Sequence, residues 1–415
     1  MNNALQNLDE FYKESCCSFF AEYSLFERQE QLQNSLIKFS EKQSETAAEE
    51  VFGAFLFTYR LPGLQDIISA MRKFEVLSAR LVPIQRDHYI HSVNVFLLGL
   101  SIFARSSKLK SIASSSMEYA DMYSSIGEEF LFRWGLTSLF HDVGYPLEIA
   151  YKTIHEFTTM LISPSLNFDE EEVVFSKGSN KGIKPVAVLN IPYMDDLLYI
   201  KGLPPKKSLE REYFAKYPNL RELPNDLLLA ISSQIARRGF ASADVICKRI
   251  RREIEESLQR GVVDHGIYSS IIFLKWINEA FYRSSWNPAY FYIPVMHSAS
   301  AILLHNSHDY IFQVPPFNLC PVDCSEDFLT YLLILCDRIQ ETNRACYGYS
   351  QHGGSFSASR LKMENDSLAL VLLVQNEDDL TLANLKIQSI RESLQKAIAL
   401  DSLFKDFSIS MNLNP

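Results

Sequence analysis

Residues Phe140 to Pro146 read "FHDVGYP" and close the apolar run "EEFLFRWGLTSL" of Glu128–Leu139. The run predicts a buried helix, and Gly144 and Pro146 read as the stop that turns the chain away from its end. A histidine and an aspartate at the edge of a core are costly unless they are paired or bound. His141 and Asp142 are therefore either a polar helix end or two ligands of a metal whose other ligands come from elsewhere. The choice decides the fold.

The rest of the chain offers four more residues of the same kind. His91 lies in "RDHYIHSVNVFLLG", His265 opens "HGIYSSIIFL", His305 closes "SASAILLHN", and Asp337 sits in "YLLILCDRIQ". Taken singly, each is explained by one hydrogen bond in a core or by a neighbouring arginine. Taken together they demand several unrelated satisfied polar groups. One shared metal site accounts for all six, because neutral imidazoles and carboxylates are the usual ligands of divalent first-row metals.

The order H … HD … H … H … D resembles the HD-domain metallohydrolase superfamily, over the stretch from Arg86 to Arg344. "RDHYIHSVNV" resembles its R-x-x-H-S-x-x-V opening, "LTSLFHDVGYP" its L-HD-x-G motif and "DHGIYSS" its H-G-x-x-S-A helix start. "SAILLHN" and "LLILCDRIQE" resemble the A-I-x-x-H and L-x-x-A-D segments that close it. The resemblance implies a helical core around two divalent ions (Mn, Fe, Co, Ni, Zn or Mg). One is held by His91, His141, Asp142 and Asp337, the other by Asp142, His265 and His305, with Asp142 bridging. It also implies a phosphohydrolase or phosphodiesterase in which a water between the metals attacks phosphorus, and a small phosphorylated substrate such as a nucleotide or a nucleotide-derived signal.

Two further residues join Asp142 as catalytic candidates. His297 precedes His305 by eight positions, about 80° round the same helix. It reads as a third ligand of the second metal, a phosphate contact or a groove residue. Arg344 follows Asp337 by two turns and reads as a phosphate contact or a partner of Glu341. His88, one turn before His91, faces the site or serves the structure, and Lys152 is a phosphate contact or a solvated lysine. "GYP" invites comparison with the HD-GYP cyclic dinucleotide phosphodiesterases. Here it follows the HD pair directly and no adjacent His-His exists, so that subgroup is not assigned. The ligand order also fits a di-iron oxygenase of the myo-inositol-oxygenase type, and the extra segments leave room for a regulatory sensor.

Composition sets the frame. The chain has 415 residues, 47% of them hydrophobic and 12% aromatic, the range of folded proteins. A formal charge of −10 disfavours a general nucleic-acid surface. The seven scattered cysteines form no CxxC, which points to reduced thiols. The start "MNNALQNLDEFYKES" has no signal-peptide pattern and no apolar run reaches a membrane span, so the expectation is a cytoplasmic protein with no membrane contact; a homo-oligomer is left open. The expected fold is mainly α. A helical extension (1–80) precedes the HD-type core (81–350), which is interrupted by an irregular insertion at about 160–225, with a strand at "PVAVLNI". "SSKLKSIASSS" reads as a linker. A small ββαβ appendage (356–415) comes last, with an Asn-Asp turn in its hairpin.

Overall fold

The computed structural model describes residues 5–23, 29–61, 63–78, 85–117, 125–162, 226–238, 241–259, 262–282, 291–306, 315, 317, 321–340, 346–347, 358–364, 366–374 and 380–413. The expected insertion, with its strand at "PVAVLNI", lies almost wholly outside them.

Four helices come first: α1 (Leu8–Glu22), α2 (Gln29–Glu41), α3 (Glu45–Thr58) and α4 (Leu64–Ser78). The Ser44 side chain caps α3 by accepting from Ala47 N, 3.3 Å away. Phe11, Phe19, Leu32, Phe39, Phe52 and Phe55 of these helices are fully buried and belong to the same apolar cluster as the middle of the chain. The 1–80 segment therefore shares its core with the helices of that middle region.

The shared core is built on α5 (Tyr89–Arg105) and α7 (Ile126–Phe140), joined by α6 (Ser107–Ser116). Every residue of α7 from Gly127 to Phe140 is buried. Trp134 donates its indole N–H to Phe96 O at 2.9 Å and ties α7 to α5. Helix α6 corrects the expected linker at "SSKLKSIASSS". Ser106 accepts from Leu109 N at 3.0 Å, and Leu109 and Ala113 bury their side chains one turn apart.

A second correction falls on the opening stretch. Residues 141–144 form a turn, and α8 (Tyr145–Ile162) begins at once. Pro146 thus lies in the first turn of α8, where its missing N–H leaves nothing unsatisfied, and starts a helix rather than ending one. Then come α9 (Leu227–Ala236), α10 (Ala243–Gln259) and α11 (His265–Tyr282). A π-turn over Phe291–Val295 leads into α12 (Met296–Leu304), and α13 (Phe328–Gln340) completes the buried set.

A small sheet closes the chain. Strands β4 (Ala358–Glu364) and β5 (Ser367–Val374) form an antiparallel hairpin, with Asp366 at φ 60° in its turn. Helix α14 (Leu380–Ala397) crosses over to β6 (Asp406–Leu413), which pairs parallel to β5. A short strand β1 (Gln6–Asn7) adds to the far edge, Gln6 opposite Leu361, so that the chain start joins the appendage. A two-residue ladder, β2 (Gln85–Arg86) with β3 (Cys346–Tyr347), sits at the entry to α5. The molecule is mainly helical with a small C-terminal sheet. Among the described residues no helix is long and apolar enough to cross a membrane.

Candidate metal centre

Helix ends bring the polar residues together. The first turn of α5 and the residue before it supply His91 and His88. The residues just after α7 supply His141 and Asp142, the first residue of α11 is His265, His305 caps the end of α12, and Asp337 lies late in α13. Positions at helix ends can be oriented by free backbone carbonyls. Two of the histidines use this. His141 Nδ1–H donates to Ser138 O at 2.8 Å, and His305 Nδ1–H donates to Ile302 O at 2.6 Å. His265 uses a side chain instead, donating from Nδ1 to Glu148 Oε2 at 2.7 Å.

With Nδ1 so held, the Nε2 atoms are left for the centre. His141 Nε2 lies 3.6 Å from Asp142 Oδ1 and 3.8 Å from Asp337 Oδ1. His91 Nε2 lies 2.9 Å from Asp337 Oδ1 and 4.0 Å from Asp142 Oδ2, and His265 Nε2 lies 3.5 Å from Asp142 Oδ1. Ring centroids are 5.4 Å apart for His91 and His141, 5.2 Å for His141 and His305, and 5.3 Å for His265 and His305. Among the described residues, two triplets have ligand atoms close enough to share an ion: His91–His141–Asp337 and His141–Asp142–His305.

The donor set fits a divalent cation. His141 is fully buried and its Nε2 makes no hydrogen bond among the described residues, a polar atom that a metal ion would engage. An imidazole that donates its other N–H to a carbonyl or carboxylate is the usual state of a metal-bound histidine. The field agrees. Burial opposes charge on Asp142, yet His141, His88 and His265 hold its carboxyl well below the usual range. Asp337 is held low against burial by His141 and His91. Burial would lower His265, but Glu148 and Asp142 raise it to about 9. His305 goes the other way, to about 3, through burial and then the neighbouring His141 and His265. The centre is thus a buried carboxylate–imidazole cluster that favours positive charge on some rings and forbids it on others.

The structure sorts the sequence candidates. His91, His141, Asp142, His265, His305 and Asp337 come together. His265 stands outside both triplets, and the second triplet shares His141, which the sequence reading kept to the first metal alone. Asp142 Oδ2, expected to bridge, accepts from His88 Nδ1 at 2.7 Å. Of the readings offered for His297, the metal ligand is set aside and the groove residue kept. Its partners are Arg133 and Asp327, because eight helical positions carry it about 12 Å along α12 from His305. Lys152 is exposed on α8. Arg344 lies outside the described residues.

His88, left open between the site and the scaffold, holds Asp142 and so serves the centre. Two residues near the centre escaped the sequence reading. Glu148 anchors His265, and the Tyr145 ring lies 3.5 Å from that of His88 and 5.7 Å from that of His265, centroid to centroid. The only sequence signal was position: Tyr145 and Glu148 are one turn apart at the start of the helix after the HD pair. No family model matches the chain, and neither the curated proteins nor the solved structures compared with it yield a match.

Proposed function

We propose that this chain is a divalent-metal phosphohydrolase of the HD type, acting on a nucleotide or a nucleotide-derived signal. The observation that supports it most is the convergence of six histidines and aspartates from five separate helices, with a buried His141 Nε2 that makes no hydrogen bond among the described residues. His91, His141 and Asp337 would hold one ion, and Asp142 and His305, with His265 beside them, a second; His141, whose Nδ1 is engaged by Ser138 O, has one nitrogen left and serves one ion only. Ions held there would polarise a phosphoryl oxygen and lower the pKa of water toward about 7. The protein groups do the orienting. The carbonyls of Ser138 and Ile302 fix two rings, Glu148 fixes a third, and His88 keeps Asp142 ionised and in place.

The test is metal analysis of the purified protein, followed by a Mn- or Co-supplemented screen of nucleotides, cyclic nucleotides and cyclic dinucleotides. His141→Ala and Asp142→Ala are expected to lose bound metal and turnover together. Full activity in either variant sinks the proposal. Stoichiometric iron, with oxygen uptake on a polyol or a phosphonate, moves the reading to a di-iron oxygenase.

A further inference from the structure

Three helices that supply the metal centre also bring together a second polar cluster, about two to three turns before the metal-centre residues. Arg133 of α7 precedes His141 by eight residues, His297 of α12 precedes His305 by eight, and Asp327, the residue before α13, precedes Asp337 by ten. At a helical rise of 1.5 Å per residue the two clusters are about 12–15 Å apart. Between them, Leu136 and Thr137 of α7 and Ala301 and Ile302 of α12 are fully buried, so the two are walled off along this helix pair.

The second cluster is one connected chain. Glu129 pairs with Arg133, whose Nη1 donates to His297 Nδ1 at 2.9 Å. His297 Nε2–H donates to Asp327 Oδ1 at 3.2 Å, and Asp327 pairs with Arg238 from the end of α9. Arg133 is 2% exposed and Asp327 3%, and Arg133 Nε makes no hydrogen bond among the described residues. A buried ionic network of this kind adds little stability compared with apolar packing. One built only to hold helices together would close on itself. Here it forms the wall of a cavity of about 290 Å³. That is the volume of about ten waters, at the lower edge of small-molecule pockets.

The walls state what the cavity prefers. Three guanidinium groups, Arg133, Arg237 and Arg238, face two carboxylates, Glu326 and Asp327, with Glu129 balancing Arg133 from behind. Burial, and then Arg133, Arg238 and Arg237, hold His297 neutral, well below its usual range, as a positive field requires. Arginine forks match phosphate oxygens in geometry and charge. Ile293 and Phe328 give an apolar wall, the Phe328 ring standing edge-on to His297 at 5.6 Å and 88°.

We propose that this cavity is a second ligand site, separate from the metal centre, for a phosphate ester no larger than a mononucleotide. Its phosphate lies at Arg237 and Arg238 and its apolar part against Ile293 and Phe328. The ligand is an effector rather than the substrate, since the buried turns of α7 and α12 keep it from the metal residues. The site stands whether or not the metal centre hydrolyses phosphate.

The experiment is isothermal titration of the full chain in EDTA with inorganic phosphate, pyrophosphate and the four common nucleoside monophosphates. Saturable binding of at least one is expected, weakened at least tenfold in Arg237→Gln, partly restored in Arg237→Lys and unchanged in His141→Ala. Arg237 is exposed at the rim, so its variants keep the fold, which the thermal midpoint checks. Absence of saturable binding to every probe overturns the proposal, as does binding indifferent to Arg237→Gln. Binding lost in His141→Ala with an unchanged midpoint also overturns it, by placing the ligand at the metal centre.

Discussion

Alanine at Gly144 tests the coupling between the HD turn and the helix that carries His265. A Cβ there would stand 2.5 Å from Ser269 N, 2.7 Å from His265 O and 2.9 Å from Ser269 Oγ. Two of these atoms are backbone, so no rotamer change relieves the clash. Ordinary carbon contacts begin near 3.5 Å, so α11 and the turn must separate by about 1 Å. Overpacking of this size costs about 1–3 kcal/mol. The bond from Gly144 N to Ser269 Oγ, 2.8 Å long, stretches with it. His265 is the first residue of α11 and moves too, away from Asp142 Oδ1 at 3.5 Å or from Glu148 Oε2 at 2.7 Å. Disturbing the support of a ligand typically lowers metal affinity about 10–100-fold. Urea unfolding in EDTA reads the steric cost, and titration with Mn²⁺ or Co²⁺ reads the affinity. Ser269→Ala is the control: it removes the hydrogen bond, worth about 1 kcal/mol, without displacing α11, and should leave affinity near wild type. A Gly144→Ala protein with wild-type stability refutes the packing argument. One that is destabilised but binds metal normally refutes the link to His265.

Metal occupancy should stabilise the fold: Mn²⁺ or Co²⁺ at about 100 times its Kd adds about 2.7 kcal/mol to unfolding, reversed by EDTA, and an unchanged urea midpoint counts against a resident ion. Glu148→Ala should lower metal affinity by about 10–100-fold and bring the His265 pKa down from about 9, followed by NMR titration of the imidazole; a value that stays near 9 removes Glu148 from its assigned role. Stability of the metal-free protein should peak near neutral pH. His265, raised to about 9, contributes stability that is complete below the unfolded value of about 6.5 and is lost as pH rises through 9. His305, lowered to about 3, contributes stability that is present above about 6.5 and lost as pH falls toward 3. A urea midpoint that is flat from pH 5 to 9 would contradict both.

The long buried helices were legible because their apolar content leaves no other reading. Helix α7 is an unbroken buried run, and α5 is nearly so. Helix α6 was not, since its serines favour loops locally and only the burial of Leu109 and Ala113 overrides them. Pro146 misled for a related reason: proline both ends helices and begins them, and residue type alone does not distinguish the two. Strand β1 has two residues and no period to detect. Its pairing with β4 joins positions more than 350 residues apart, which no local pattern carries.

The ligand residues were legible for a different reason. An imidazole or carboxylate inside an apolar segment contradicts its surroundings, and the contradiction marks a site. Glu148 raises no such conflict, because it stands in the first turn of α8, where an acidic residue is ordinary. Arg133 does raise it, in the middle of "EEFLFRWGL", and so does His297 in "VMHSASA". His297 was drawn to the metals by its angle, about 80° from His305, but angle fixes only the side of a helix. The rise fixes the level, and eight residues put His297 a full 12 Å or so away, beside Arg133. The shared spacing of eight on α7 and α12 is then informative in itself. It makes the two helices run side by side in the same direction with two polar pairs between them, His141 with His305 and Arg133 with His297. Angle and rise together therefore separate the two clusters by spacing alone, where angle by itself merges them.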